Sequence, residues 1–524
     1  MQRIWLAMVG VIWACSASSA GELPDYKSIK PDGVVRTAVG VTRRDTPITA
    51  FVAEEDGDLR SEKLRVVLIG GFDGQRRSVD AALAALRWLY THEDAAPLRK
   101  RMTLAVVPCG NPDGVLLDRG DENGQGGRPG DPPPADEQRY HSQTQVESQY
   151  LASWLAQHGA DRVLELRVAH PSPRKEHFLA LADGNVVELL RGALDKVDTV
   201  SDSHAELIKR VKLDDRAFAT QLLTAYSHVP KSPLYFDTLP LLANRRLAKL
   251  GVKVAEPAFP VPQGPPKSGS DLSGLLFVVE RLKAEVDPNA LEIVKRAADM
   301  AFAANSQPLA EPPFHNEMSD GVFMNGPLLS GVGALTGETK YFDCCAQHQT
   351  LIRKLCQRKD GLYRHSPLDE AAWGRGNGFA ALGMALMLED WPAEHPERKV
   401  LLQAFRAHMA ALRQHQDYTG TWHQVIDRPE SYREFTGTCM IGFAMARGIR
   451  AGWLEAETYQ PCVDRAWQAV KARTSPAGEF VDVCTGTGKQ KTLRDYYDRQ
   501  ALQGRDGRGG SMALLFASEI LRKP

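Results

Sequence analysis

Apolar residues recur at three- and four-residue spacing through most of the second half of the chain, a pattern typical of amphipathic helices. Loops rich in Gly, Trp, His, Asp and Arg separate these apolar segments. A long succession of paired helices predicts stacked helical hairpins that close into an all-α (α/α) toroid. The predicted helices are Leu272 to Lys283, Ala290 to Ala304, Lys340 to Arg358, Gly378 to Glu389, Lys399 to Gln414, Thr436 to Gly452, Glu457 to Arg473 and Ser511 to Leu521.

The first half of the chain alternates strand and helix patterns instead. Such an alternation is typical of an α/β domain, in which helices cover the faces of a parallel sheet. The predicted elements are edge strands at Val34 to Val41 and Thr49 to Ala53, buried strands at Arg65 to Ile69, Met102 to Val107 and Arg162 to Val168, and helices at Val79 to Tyr90 and Glu147 to His158.

Changes in composition divide the chain into segments. We expect an α/β domain over 21–199, a helical connector over 200–256, a Pro-rich linker over 257–270 and the helical barrel over 271–524. A complete toroid needs more helices than the last segment supplies. Two alternatives follow: the helices at 200–252 complete the ring across the Pro-rich stretch, or the ring is truncated.

The first twenty residues predict a secretory signal peptide. Arg3 supplies the charged start, Ile4 to Ala14 the apolar core, and Ser18 to Ala20 a small-residue cleavage site. An alternative is a lipoprotein modified at Cys15. In either case we expect export, to the periplasm or the medium. No later segment approaches the ~18 consecutive apolar residues that a membrane-spanning helix needs.

Charge and cysteine content narrow the class of protein further. The net charge is -1 with interspersed signs, which argues against a nucleic-acid binder. Seven of the eight cysteines follow the signal segment, and none lies in a CxxC pair, so a zinc ribbon is not expected. Small buried thiols, with one or two disulfides among them, are the expectation.

Three motifs in the first half lie at the predicted strand ends. They are Gly70 to Gly74 (GGFDG), Pro108 to Gly114 (PCGNPDG) and Leu164 to Arg167 (LELR). Together they resemble the zinc carboxypeptidase fold. Asp73, Arg76 and Arg167 stand where that family has its His, Glu and His metal ligands, and arginine stays protonated. The resemblance therefore implies a carboxypeptidase-like domain without zinc, with a docking or binding role; His170 is a possible displaced ligand.

Four motifs in the second half carry the candidate chemistry. Each places acids, bases or aromatics beside glycines, just before or within a helical pattern. The start of a helix is a common place for a binding site, because its backbone N–H groups are free to bind a ligand. They are Ser319 to Pro327 (SDGVFMNGP), Asp360 to His365 (DGLYRH), Trp373 to Gly378 (WGRGNG), and Gly420 to Asp427 (GTWHQVID) followed by Glu434.

The four motifs, in this order, resemble glycoside hydrolase families 88 and 105, the unsaturated uronyl and rhamnogalacturonyl hydrolases, over about residues 270–522. The resemblance implies a six-hairpin toroid that hydrates the enol ether of a terminal Δ4,5-unsaturated uronic acid, in oligosaccharides that pectin or rhamnogalacturonan lyases release. It implies no metal or other cofactor. It also implies an acid that protonates carbon, a base that activates water, and a cation for the substrate carboxylate.

The resemblance assigns roles residue by residue. Asp320 is the general acid/base, with a helix cap as its alternative, and Asp271 is a second catalytic carboxylate or a cap. Arg375 is expected to bind the substrate carboxylate. The remaining substrate-binding candidates are Trp373, His365, Trp422, His423, Gln424 and Phe379, the last standing where the family usually has Trp.

Two other functions stay open on the sequence. One is a non-catalytic glycan-binding or structural protein in which both domains keep their folds and have lost their chemistry. The other is an active metallopeptidase, which metal content would reveal.

Overall fold

The structure is a computed structural model that describes residues 21–131, 140–168, 178–181, 185–252, 255, 259, 261–262, 264–486 and 488–522. The predicted signal peptide at 1–20 and His170 lie outside these residues, as does part of the Pro-rich linker. Among the helices that are described, none is both long and apolar enough to cross a bilayer.

The N-terminal domain is built on a mixed sheet of six strands in the order β1-β2-β4-β3-β5-β6. Strands β3 to β6 are parallel, β2 pairs antiparallel with β4, and β1 pairs antiparallel with β2. The strands are β1 Val34–Val41, β2 Pro47–Ala53, β3 Leu64–Ile69, β4 Met102–Val107, β5 Arg162–Arg167 and β6 Phe178–Ala180.

Both faces of this sheet are covered, because its central strands are continuous apolar runs. Val66 and Leu68 face one apolar core, whereas Val67 and Ile69 face another that includes Trp154. The covering elements are α1 Arg76–Thr91, α2 Ala96–Arg101, α3 Pro112–Leu116, α4 Val146–His158 and α5 Val186–Leu194, with short 3-10 helices at Tyr26–Ser28, Glu54–Gly57 and Glu93–Ala95.

The rest of the chain is mainly helical. Six helical elements, counted over the described residues, pack side by side into an inner ring, and further helices lie outside it. The inner elements are α8 Tyr235–Lys249, α9 Gly269–Gly274 with α10 Leu276–Leu282, α12 Gly321–Thr336, α14 Gly374–Asp390, α16 Phe435–Arg450 and α19 Gly507–Ile520. The outer helices are α6 Asp202–Lys212, α7 Asp215–Tyr226, α11 Pro288–Asp299, α13 Lys340–Cys356, α15 Pro396–Gln414 and α17 Ala456–Ala472.

Two small hairpins lie in the loops of the ring. The first pairs β7 Trp422–His423 with β8 Arg433–Glu434. The second pairs β9 Phe480–Cys484 with β10 Ala501–Gly504, and the segment between them, residues 485–500, carries the short helix α18 Leu493–Tyr497. We call this segment the β9–β10 connection.

Helix α8 closes the ring, because it packs against α19 on one side and against α9 and α10 on the other. Of the two alternatives left by the sequence, the structure therefore shows the complete ring. The helices predicted as a connector over 200–256 belong to it: apolar residues of α7 and α8, such as Phe218 and Leu239, share one core with Phe379 and Phe516.

Most predicted elements are present, with three corrections. Strand β4 has the predicted bounds. The first correction is that β2 is an interior strand rather than an edge strand. The helix predicted from Leu272 is divided into α9 and α10. The expectation of disulfides is wrong, because all seven cysteines in the described residues are buried as free thiols.

The N-terminal domain packs directly on one end of the ring. Tyr140 stacks between Tyr150 of its own domain and Tyr432 of the ring, at centroid distances of 4.4 and 5.0 Å. Arg43 forms an ion pair with Asp498 at 2.6 Å. This end of the ring holds the starts of α12, α14 and α16, so the two domains enclose the loops that carry the sequence motifs.

The inner helices approach closely where glycine replaces a side chain. A Cβ atom on Gly383 of α14 would lie 2.7 Å from the carbonyl oxygen of Val322 in α12. We therefore expect Gly383→Ala to lower the free energy of unfolding by about 1–3 kcal/mol through overpacking, measured by denaturant titration.

The matched control is Gly192→Ala in helix α5, where an added Cβ meets nothing within 4 Å. This substitution should leave stability unchanged or raise it by up to about 1 kcal/mol, because alanine favours helix. Equal effects of the two substitutions would contradict the close approach.

Candidate functional site

Three loops that precede inner helices meet at the covered end of the ring. The backbone N–H of Ser319 donates to the carbonyl of His365 at 3.0 Å, which joins the loops before α12 and α14. The N–H of Gly374 donates to the carbonyl of Gln424 at 2.7 Å, which joins the loops before α14 and α16. These bonds bring the sequence motifs into one cluster.

Asp320 lies at the centre of this cluster. It occupies the N-cap position of α12, but its carboxylate makes no capping hydrogen bond. The side chain is fully buried, and neither carboxylate oxygen has a hydrogen-bond partner among the described residues. The ring of His365 lies beside it, with Nε2 3.3 Å from Oδ2. The capping alternative does not describe this side chain.

His365 links Asp320 to a residue that the motifs did not include. Its Nδ1 lies 2.9 Å from the hydroxyl of Tyr496, in the β9–β10 connection. His365 is fully buried, and its ring also contacts Trp373 at a centroid distance of 4.4 Å. The three side chains Asp320, His365 and Tyr496 thus form a continuous buried series.

The electrostatics of the pair favour an ionised carboxylate. Burial alone would raise the pKa of Asp320, but the imidazole of His365, assisted by His315, holds that pKa below its usual value. A buried carboxylate without hydrogen-bond donors is costly for a fold to keep. Perturbed groups of this kind concentrate at functional sites.

Other polar atoms around the pair also lack partners. They are Ser319 Oγ, His315 Nδ1, His365 Nε2, Trp373 Nε1 and Gln424 Oε1, taken over the described residues. Protein interiors normally satisfy such atoms. Their concentration around one carboxylate indicates a place that is prepared for a polar ligand.

Arg375, predicted to bind the substrate carboxylate, makes its contacts with the protein itself. Its Nε donates to the Thr436 hydroxyl at 3.0 Å, Nη2 donates to the carbonyl of Cys484, and Nη1 to that of Gly486 at 3.4 Å. Glu434 lies 3.8 Å away. The side chain therefore ties α14 to α16 and β9, and its role toward the substrate carboxylate stays a prediction.

Two more predicted substrate ligands are held in structural contacts. The indole N–H of Trp422 donates to the carbonyl of Leu412 at 2.7 Å. His423 lies between the Ser431 carbonyl and Asp417, at 2.7 and 3.3 Å. Successive side chains along a strand point to opposite faces, so a motif can locate this loop without deciding which of its side chains face the site.

Of the three remaining candidates, one lies beside the pair and two belong to the scaffold of the ring. The three are Gln424, Phe379 and Asp271. The amide of Gln424 donates to the Tyr496 carbonyl at 3.3 Å, beside the pair. Phe379 stacks on Phe323 in the ring core, with centroids 5.3 Å apart. Asp271 is partly exposed in the first turn of α9, where its carboxylate accepts the N–H of Lys267 at 2.8 Å.

The residues that sequence reasoning missed lie in the β9–β10 connection. Tyr496 contacts His365, and the guanidinium of Arg499 lies 4.8 Å from the centroid of the Trp373 ring. The signal was present in the sequence, because this connection also precedes an inner helix and carries aromatic and charged residues. No group of three or more metal-ligating side chains occurs within the described residues.

The second half of the chain matches the model of a known protein family. Residues 265–523 match the model of Glycosyl Hydrolase Family 88. Two curated relatives are an unsaturated 3S-rhamnoglycuronyl hydrolase of Formosa agariphila, 27% identical over 29% of this chain, and the unsaturated rhamnogalacturonyl hydrolase YesR of Bacillus subtilis, 28% identical over 39%. The alignments span 45% and 59% of those relatives, so each is matched over about half its length.

Solved structures agree on the fold. Possible members of the GH105 family from Salmonella enterica and Klebsiella pneumoniae superpose with TM-scores of 0.50 and 0.50, at 20% and 18% identity. They cover 59% and 62% of this chain, and 95% and 94% of their own lengths are matched. The helical ring therefore has the fold of these proteins.

The contacts of Arg375 predict its contribution to stability. Arg375→Met should lower the free energy of unfolding by about 3–5 kcal/mol, because it leaves buried carbonyls and Glu434 without their cation. Denaturant titration measures this loss. Arg505→Met is the control: Arg505 is exposed and donates to the Ala477 carbonyl, so a change of about 0.5 kcal/mol or less is expected. Equal stability of both variants would contradict the structural role of Arg375.

Proposed function

We propose that the Glycosyl Hydrolase Family 88 domain of this chain hydrates the enol ether of a terminal Δ4,5-unsaturated uronic acid, in oligosaccharides that a polysaccharide lyase has released. Two kinds of observation support the proposal. The domain matches that family, and the curated relatives are named as hydrolases of unsaturated rhamnoglycuronyl and rhamnogalacturonyl compounds. Substrates of the pectin or rhamnogalacturonan type fit these names.

The observation that carries the proposal is the buried pair of Asp320 and His365. The carboxylate lies 3.3 Å from the imidazole, is excluded from water, and takes no part in capping its helix. Such a pair can hold one proton and pass it in either direction. Proton transfer by a positioned acid and base is what hydration of a double bond requires.

The proposed reaction proceeds in three steps. Asp320 delivers a proton to C4, and the positive charge that develops at C5 is shared with the ring oxygen. Water then attacks C5 and returns a proton to the Asp320 carboxylate, which leaves a hemiketal at C5. The hemiketal opens to a 5-keto acid, and the hemiacetal formed at C1 releases the remaining sugar as an alcohol. One water molecule is consumed, and no electrons are exchanged.

For the N-terminal domain we propose a carboxypeptidase-like fold that serves as a docking module without zinc. Asp73 accepts the Ser78 hydroxyl at 2.6 Å and the N–H of Val168 at 2.5 Å, so its carboxylate bonds to the protein itself. Arg76 pairs with Asp80 at 2.9 Å, and Arg167 lies 3.3 Å from Glu165. We further propose export, on the signal-like pattern of residues 1–20.

A second candidate function is a non-catalytic glycan-binding or structural protein. One observation favours it: Asp320, His365 and Trp373 have no exposed surface. For the hydrolase function, residues that cover the site must move before substrate reaches Asp320. The two functions differ in whether the unsaturated bond is consumed.

Substitution of Asp320 tests the proposal. The wild-type protein should remove the ultraviolet absorbance of unsaturated disaccharides from at least one of pectin, rhamnogalacturonan and glycosaminoglycan lyases. Asp320→Asn should lower the rate by roughly 100-fold or more, since general acid–base catalysis contributes about that much. Asp343→Asn, which changes an exposed carboxylate of outer helix α13, is the control and should keep the wild-type rate. Wild-type protein that binds these sugars without consuming them would support the second candidate.

His365 sets the pH dependence of the reaction. Asp320 must carry a proton to deliver it to C4, so activity is lost as pH rises through its pKa, which His365 holds low. His365→Gln removes the imidazole while burial remains, so the pKa of Asp320 rises and the alkaline limb of kcat/KM should move to higher pH. An alkaline limb at an unchanged pH would show that His365 does not control this carboxyl.

A further inference from the structure

We infer that Arg499, in the β9–β10 connection, binds the carboxylate of the substrate. The inference rests on the proposed function, because it names the cation that the same site offers to an unsaturated uronic acid. It assigns a binding role to a residue outside all four sequence motifs.

The first argument is the charge balance of the site. Asp320 faces His365 at 3.3 Å, and Arg375 faces Glu434 at 3.8 Å. Arg499 is 7% exposed, yet no carboxylate of the described residues lies within ion-pair distance of its guanidinium. A buried cation without a counter-ion is unfavourable. One substrate carboxylate would supply that counter-ion.

The second argument is position. The Arg499 guanidinium lies 4.8 Å from the Trp373 ring centroid and 5.6 Å from that of Tyr496. Trp373 also contacts His365, and the Tyr496 hydroxyl lies 2.9 Å from His365 Nδ1. Arg499 therefore shares two aromatic neighbours with the catalytic pair, which places it one side chain away from Asp320.

The third argument is that Arg499 has donors to spare. Its Nη1 and Nη2 donate to the carbonyls of Gly486 and Gly488, at 3.4 and 2.5 Å, both within its own connection. A guanidinium has five N–H donors in a planar fork that fits a carboxylate with two parallel bonds. Bonds to a carboxylate are stronger than bonds to neutral carbonyls, so the substrate can replace these contacts.

Arg375 is the competing cation, and its contacts hold it in the scaffold of the ring. Its guanidinium donates to Thr436, Cys484 and Gly486 and faces Glu434, inside the junction of α14, α16 and β9. A shift of Arg375 toward the substrate would break those contacts. Arg499 belongs instead to the β9–β10 connection, which contacts His365 and Trp373.

The test compares a charged substrate with its neutral form. An unsaturated disaccharide and the methyl ester of its unsaturated uronic acid are assayed with wild-type protein, Arg499→Gln, Arg499→Lys and the surface control Arg505→Gln. Arg499→Gln should lower kcat/KM by roughly 100-fold for the acid, mainly through KM, because a desolvated charge pair loses one partner. It should lower the rate for the ester by about threefold or less, since the ester presents no charge.

Both rates come from the same protein sample, so a folding defect lowers them together and cannot mimic the expected difference. For the acid, the kcat/KM of Arg499→Lys should lie between the values of wild type and Arg499→Gln, because lysine keeps the charge and loses the planar fork. Equal losses for acid and ester in Arg499→Gln would overturn the inference. Wild-type protein that consumes neither substrate would instead overturn the proposed function on which the inference rests.

Discussion

The close approach of the first turns of α12 and α14 is the constraint on which the site depends. A Cβ atom on Gly376 would lie 2.5 Å from Ser319 Oγ and 3.8 Å from Asp320 Oδ2. Because glycine leaves this space empty, the start of α12 rests directly on the start of α14. The loop that carries both His365 and Trp373 then faces the Asp320 carboxylate. Without this approach the motif residues would lie on separate helices with no shared chemistry.

The close approach of the two helices also buries the Asp320 carboxylate. Asp320 is fully enclosed, and the imidazole of His365 at 3.3 Å holds the pKa of this carboxyl below its usual value. The β9–β10 connection and the N-terminal domain cover the same end of the ring, through Tyr496 on one side and the stacked Tyr140 and Tyr432 on the other. The N-terminal domain thus belongs to the environment of the site, and access to Asp320 is a property of both domains.

The sequence predicted the parts of the fold and site that local pattern determines. Helix periodicity located the ring helices, and the motifs brought Asp320, His365 and Trp373 together because each precedes an inner helix or lies in the adjoining loop. Local pattern does not say which side of a loop faces inward. Three residues predicted to bind the substrate contact the protein itself: Arg375, Trp422 and His423. Nor does local pattern reveal contacts between distant segments. Closure of the ring by α8, and the positions of Tyr496 and Arg499, follow from packing over more than 100 residues of sequence separation.

The central claim is that this site adds water across the double bond of an unsaturated uronic acid. The most direct measurement is the reaction of the wild-type protein with an unsaturated disaccharide in D₂O, followed by NMR of the product. The account predicts a ring-opened 5-keto acid with one deuterium delivered to C4, together with the released sugar. A disaccharide whose double bond persists, or a released product without deuterium at C4, would contradict it.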